Sequence, residues 1–283
     1  MTVGMSATVP NKALINGEAA AGSRVWNRGL HYGDGVFRTC LIYEGQVIDL
    51  EKQIEKIIND AEVVSLYFAH PETLLREAQQ LAQGQAQAVL KILLIRAGAS
   101  RGYRTSVATA DRLLCTYPTS RYPSANWERG IVVFRSRVRL GSQPMLAGVK
   151  HLNRLEQILA SREWEPGADE GIMGDDQNRP VSGTRGNLFW AKQGALRTPA
   201  LDRCGVAGLM RDKVLQGASA LKLPCSVAEG SWEELESADE VFVTNSLIGL
   251  WPVRTMGDKS WAAPGPVTRR LMETIKHPQL RDV

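Results

Sequence analysis

The stretch AGVKHLNRLEQ, residues 147–157, sets a lysine after three small or β-branched residues and directly ahead of a helix-forming run. A lysine is cheapest on an open surface, where its ammonium stays hydrated. Two readings of Lys150 stand: one of many solvated lysines, the commoner case for a lysine, or an amine held at a packed junction between strand and helix because it is used. Downstream, Leu152, Leu155, Ile158 and Leu159 recur at helical spacing, which predicts that Lys150 stands at or just before a helix start. The helix dipole disfavours a cation there and so helps to lower an amine's pKa.

Working outward, GIVVFRSRVRL (130–140) alternates like a strand, and GNLFWAK (186–192) and EVFVTNS (240–246) are strand-like runs separated by the helical GVAGLMRDKVL (205–215). Toward the N-terminus, LEKQIEKIINDA (50–61) places Leu50, Ile54, Ile57, Ile58 and Ala61 on one helical face. PETLLREAQQLA (71–82) does the same with Leu74, Leu75, Ala78 and Leu81. AVLKILLIR (88–96) and RLLCTY (112–117) are apolar runs of strand length. Between the two parts, PTSRYPSANWERG (118–130) gathers two prolines, polar residues and a glycine, which is linker chemistry. The expectation is an α+β protein with a smaller N-terminal domain over 1–117, a linker over 118–130 and a larger C-terminal domain over 131–283.

With 283 residues, 43% hydrophobic and 23% charged, the chain has the composition of a soluble globular protein able to bury a sizeable core. A net charge of +4 is too small and dispersed for nucleic acid, but it suits a small anionic ligand. The four cysteines, Cys40, Cys115, Cys204 and Cys225, form no C-x-x-C pair, and with four scattered histidines no metal-ligand spacing arises. Free thiols in a reducing compartment are expected. The N-terminus has no signal-peptide h-region and no apolar run of membrane-spanning length. A cytoplasmic protein that binds neither membrane nor nucleic acid is the reading.

Two loops have the chemistry to hold a phosphate. CGVAGLMR (204–211) is a small-residue turn entering a helix, so the backbone N–H groups of Val206 and Ala207 are candidates to face an anion at the positive end of the dipole. TNS (244–246) ends a buried strand with three hydrogen-bonding residues.

Taken in order, LINGE (14–18), RGLHYGDGVFRT (28–39), the helix over 50–61, RAGASRGYRT (96–105), LAGVKHLNRLEQILA (146–160), ADEGIM (168–173), GNLFW and GVAGLMR resemble the fold-type IV pyridoxal-phosphate enzymes. This is the class IV aminotransferase family, with branched-chain and D-amino-acid transaminases and aminodeoxychorismate lyases among its members. Within it, AGVKHLNRLEQ and HYGDGVFRT are most similar to the aminodeoxychorismate lyases, which release 4-aminobenzoate and pyruvate from 4-amino-4-deoxychorismate for folate synthesis. The resemblance implies a D-amino-acid-aminotransferase-like two-domain fold with pyridoxal 5'-phosphate in the interdomain cleft. It makes Lys150 the Schiff-base lysine and general base. It also assigns the phosphate to Val206, Ala207, Asn245 and Ser246, includes Asn187 in the coenzyme site, and implies a homodimer in which a partner loop completes each site. An amino-acid transaminase and a non-catalytic pyridoxal-phosphate-binding paralogue are the alternatives.

Two positions depart from the family pattern. Where relatives carry a glutamate toward the pyridine nitrogen, five residues before Asn187, this chain has Ser182. A hydroxyl donates to an unprotonated ring nitrogen but does not hold a proton on it, so the ring is a weaker electron sink. Where relatives offer a helix arginine to the phosphate, this chain offers Lys56, which keeps the charge and loses the bidentate fork. For a dicarboxylic substrate the candidate partners are Arg101, Tyr103 and Arg104 on SRGYRT. Arg154, read as one helical turn beyond Lys150, and Thr39, on the pocket floor, complete the set. His31 reads as a packed structural histidine and Asp34 as a turn former.

Overall fold

The computed structural model describes residues 12–19, 28–97 and 102–280. The chain divides into two compact units. The first runs to Arg121 and also takes in Lys150–Asn153; the second comprises Tyr122–Val149 and everything from Arg154 onward.

In the first unit the elements are β1 (Lys12–Ile15), β2 (Glu18–Ala19), α1 (Arg28–Tyr32), β3 (Gly35–Tyr43), β4 (Gln46–Val47), α2 (Leu50–Val63), α3 (Pro71–Ala82), β5 (Gln87–Arg96) and β6 (Ala110–Pro118). The six strands form an antiparallel sheet in the order β2-β1-β6-β5-β3-β4. Period-two alternation decides its two faces. Val36, Arg38, Cys40 and Ile42 of β3 are buried on the face that α2 covers with Ile54, Ile57 and Ala61, while Phe37 and Thr39 point the other way and are half-buried. α3 begins on Pro71, whose fixed φ and missing N–H suit a first helical position. Both helices fall where their apolar spacing predicts.

In the second unit the elements are α4 (Ala125–Glu128), β7 (Ile131–Leu140), α5 (Leu155–Ser161), β8 (Glu170–Asp175), β9 (Pro180–Gly183), β10 (Asn187–Lys192), β11 (Ala195–Thr198), α6 (Leu209–Ala220), β12 (Cys225–Val227), α7 (Trp232–Glu236), β13 (Glu240–Asn245), β14 (Gly249–Met256), β15 (Lys259–Ser260) and α8 (Pro266–Thr274). The nine strands run β12-β11-β10-β13-β14-β7-β8-β9, with β15 on β14; β9 also pairs with β10, which closes the path into a ring. Its core includes Phe189 stacked on Phe242 at 5.0 Å, worth about 0.5–1.5 kcal/mol beyond area burial. The stretch 118–130 holds α4, whose Trp127 is buried and donates Nε1–H to the Ile248 carbonyl at 2.8 Å.

The helix expected directly after Lys150 begins only at Leu155, and Leu155, Ile158 and Leu159 are exposed rather than buried. Residues 150–152 are extended because they bond to the start of β3: Phe37 N–H donates to the Lys150 carbonyl and Leu152 N–H to the Gly35 carbonyl, both at 2.9 Å, around a bridge between Val36 and His151. The helix-dipole argument for Lys150 therefore falls, and so does the shared helical face with Arg154, which is the N-cap of α5.

Candidate active site

Lys150 is fixed by its main chain. Its carbonyl accepts from Phe37 N–H at 2.9 Å, and its own N–H donates to Asp60 Oδ2 at 3.1 Å. Asp60, on α2, is also paired with the Arg38 guanidinium from the buried face of β3. Arg38 Nη2 reaches the Lys56 carbonyl at 3.3 Å as well. The Lys150 ammonium lies 4.6 Å from the centroid of the Phe37 ring, a cation–π distance. Burial pushes the Asp60 carboxyl up, against the Arg38 guanidinium, the Lys150 amide and the Lys56 and Lys150 amines. Three cations thus gather around one carboxylate, which is an electrostatic setting for an anionic ligand.

Beside Phe37 on the same half-buried face, Thr39 pairs with Lys91 and Lys91 with Cys115. Lys91 Nζ lies 4.9 Å from the Phe37 centroid, and burial pushes its amine down. Of the loop candidates, Arg101 lies outside the described residues, while Tyr103 and Arg104 are exposed. This loop is anchored: Arg28 donates to the Gly102 and Tyr103 carbonyls at 2.7 and 3.3 Å, and Tyr32 Oη accepts from Gly102 N–H. Asp34 does more than form a turn, because one carboxylate oxygen pairs with both Arg28 and Arg96 at 2.8 and 2.9 Å. His31 is exposed rather than buried, with its ring 6.1 Å from that of Tyr32.

In the second unit Asn187 organises the turn ahead of α6. Its Nδ2 donates to the Val206 carbonyl at 2.7 Å and its Oδ1 accepts from Gly208 N–H at 3.2 Å. A Cβ on Gly208 would collide with Asn187 Oδ1, so a larger residue before α6 would push the Asn187 amide off this turn. The two amides proposed for an anion differ. Ala207 N–H is spent on the Gly148 carbonyl at 2.9 Å, whereas Val206 N–H has no acceptor among the described residues. α6 has no side-chain cap, so its first-turn amides remain open as well. Asn245 uses its side chain to hold its own turn, with Oδ1 accepting from Leu247 and Ile248 N–H at 2.9 and 3.1 Å. The Ser246 carbonyl lies 3.1 Å from His277 Nε2.

Ser182 pairs in register with both Met173 and Asn187, is nearly buried, and makes no side-chain hydrogen bond among the described residues. Two residues on, Thr184 meets Glu170, which is 1% exposed and whose Oε1 accepts from Gly171 and Thr184 N–H at 3.0 Å and from the Thr184 hydroxyl. Taken separately, each unit carries groups that fit pyridoxal phosphate: in the second, open amides at an uncapped helix start for a phosphate and the Ser182 hydroxyl for a ring nitrogen; in the first, a lysine held by its backbone for an aldehyde. No group of three or more His, Cys, Asp or Glu among the described residues is placed to hold a metal ion.

Asp60, Arg38, Lys91 and Glu170 were not singled out by the sequence reading. Their signal was a charged residue inside an apolar pattern: Asp60 shares the stripe of Ile57 and Ala61, and Arg38 alternates with Val36 and Cys40.

The sequence pattern of the amino-transferase class IV family matches residues 35–256. The chain is 33% identical to an aminodeoxychorismate lyase of Vibrio harveyi over 92% of its own length and 98% of the relative's. It is 29% identical to a putative branched-chain-amino-acid aminotransferase of Methanocaldococcus jannaschii, covering 94% and 95%. The crystal structure of 4-amino-4-deoxychorismate lyase from Pseudomonas aeruginosa superposes with a TM-score of 0.88 at 37% identity, covering 92% of this chain and 97% of that one. By the matched pattern and these near-full-length likenesses, the chain belongs to the amino-transferase class IV family, whose cofactor is pyridoxal phosphate.

Proposed function

We propose that the protein is an aminodeoxychorismate lyase that splits 4-amino-4-deoxychorismate into 4-aminobenzoate and pyruvate for folate synthesis. The near-full-length likeness to two such lyases supports the reading, and the observation that carries it is the backbone-clamped Lys150 within AGVKHLNRLEQ. Pyridoxal phosphate, when bound, supplies an electron sink. The Lys150 amine would hold it through its aldehyde and, when free, would serve as the base for the proton on the substrate carbon that bears the amine. Val206 N–H and the open start of α6 would hold its phosphate, Lys56 would add positive charge for it, and the Ser182 hydroxyl would donate to its ring nitrogen. Thr39 lines the floor, and Tyr103, Arg154 and Arg101 are assigned to substrate. The reaction splits one molecule into two and needs no keto-acid acceptor.

The homodimer belongs to the same reading. Leu155, Ile158 and Leu159 of α5 are 72%, 48% and 48% exposed at helical spacing, an apolar face that fits a second copy of the chain. The four free cysteines support a reducing, cytoplasmic setting. The test is pyruvate release from 4-amino-4-deoxychorismate by purified protein with pyridoxal phosphate and no acceptor. Pyruvate and 4-aminobenzoate in equal amounts support the lyase. Turnover that begins only when a keto acid is added makes the protein a transaminase.

A further inference from the structure

The role given to Lys150 leaves open what aims its amine. No helix start lies there to do so. The residue's two main-chain polar atoms are both engaged, and the acceptor for its N–H is a side chain, Asp60 Oδ2 at 3.1 Å. That same oxygen is bound by Arg38, whose side chain is 3% exposed. A buried arginine needs a fixed anionic partner, so the pair is locked in one geometry. α2 thereby carries a rigid acceptor to the lysine's backbone, and β3 supplies both the guanidinium behind it and the Phe37 N–H that holds the Lys150 carbonyl.

We propose that Asp60 is a positioning residue for the reactive amine: by accepting at once from the Arg38 guanidinium and from the Lys150 main-chain amide, it sets the lysine backbone that aims Nζ across the Phe37 ring. The inference rests on the assignment of Lys150 as the coenzyme lysine. Asp60 touches neither coenzyme nor substrate in this role; it acts through Lys150. The charged groups that face it are Arg38 from β3, Lys56 from its own helix and Lys150. Its carboxylate therefore also supplies the local negative charge that favours the protonated form of the lysine nitrogen.

Three variants separate position from charge. Asp60→Asn keeps the shape and removes the charge. Arg38→Met/Asp60→Leu removes both charges, leaves no buried ion without a partner and so folds, yet deprives Lys150 N–H of its acceptor. Asp60→Glu restores the carboxylate. Each is measured as holoenzyme for kcat, KM and the pH midpoint of the visible band of the lysine-bound coenzyme. Each is also measured without coenzyme, for the rate at which Lys150 is acylated, with exposed Lys52 as internal reference in mass spectra.

In the double variant kcat falls about tenfold or more with KM within about threefold, because a small misplacement of a reacting group costs rate rather than affinity. Its Lys150 is acylated faster relative to Lys52. In Asp60→Asn the pH midpoint falls by about half a unit or more as the local anion is lost, and Asp60→Glu moves it back. Parent-like kcat, acylation and midpoint in both the double variant and Asp60→Asn overturn the proposal. Borohydride labelling of the parent is run alongside: a label on another lysine defeats the assignment of Lys150 itself, whatever the Asp60 variants do.

Discussion

Asn187 clasps the turn ahead of α6 at both ends of its amide, giving Nδ2–H to the Val206 carbonyl at 2.7 Å and taking Gly208 N–H at 3.2 Å. Neither bond reaches a ligand; together they fix where Val206 N–H and the open α6 amides point. Asn187→Ala leaves two half-buried backbone groups without their partner, a loss of about 1 kcal/mol. Coenzyme affinity, read by fluorescence titration, is expected to fall about tenfold as the phosphate holder loosens. Parent-like affinity in a folded variant would show that the turn holds itself.

Acid should unlock the first unit at Asp34. Burial pushes its carboxyl up, but hydrogen bonds from Arg96 and Arg28, with their charges, outweigh burial and hold it below its ordinary value of 3.8. A depressed carboxylate contributes stability that is complete above the unfolded value and is lost as pH falls through the folded one. Urea unfolding from pH 7 downward should therefore show stability declining as pH approaches 3.8 and below. Asp34→Asn should be less stable at pH 7 and flatter over that acid range. An unchanged acid slope would mean that Asp34 does not carry the effect. Asp175, lowered in the same way by Arg179, contributes in the same window in the second unit.

Ser182 tests the ring-nitrogen assignment. Ser182→Glu places a carboxylate where the hydroxyl stands, which should raise the pKa of an adjacent pyridine nitrogen, strengthen the electron sink and add transaminase activity, with elimination changed much less. Overpacking costs about 1–3 kcal/mol, so Ser182→Ala is measured beside it. If both variants bind coenzyme with parent-like spectra and product ratios, Ser182 does not face the ring.

The apolar face of α5 predicts self-association. Leu155→Glu/Ile158→Glu puts two charges on residues that are already exposed in the single chain, so the fold should be indifferent while a dimer interface is not. Sedimentation is expected to shift from dimer to monomer. A parent that sediments as a monomer with full activity removes the dimer from the account.

Much of the scaffold was legible because its apolar residues keep one period. α2, α3, β5 and β6 fall on LEKQIEKIINDA, PETLLREAQQLA, AVLKILLIR and RLLCTY with boundaries within a few residues. The helix start after Lys150 was not legible, because Leu155, Ile158 and Leu159 have the spacing of a buried stripe and are turned outward. Nothing local marks 150–152 as extended either, since the partner that makes it so is β3, more than a hundred residues earlier. Lys150 stood out through resemblance, and the turn at Val206 and Ala207 through its small residues. That Ala207 N–H is used by Gly148 depends on a pairing that sequence spacing does not encode. Asp60 and Arg38 stand in the sequence as charges inside apolar patterns, but that they pair with each other shows only once α2 lies on β3.

The central claim is that Lys150 carries the coenzyme. Holoenzyme reduced with borohydride, digested and analysed by mass spectrometry should show the pyridoxal-phosphate adduct on the peptide containing Lys150. The same treatment of folded Lys150→Ala should show none, and that variant should release no pyruvate. An adduct on Lys91, Lys56 or any other lysine, or full pyruvate release by Lys150→Ala, would contradict the account.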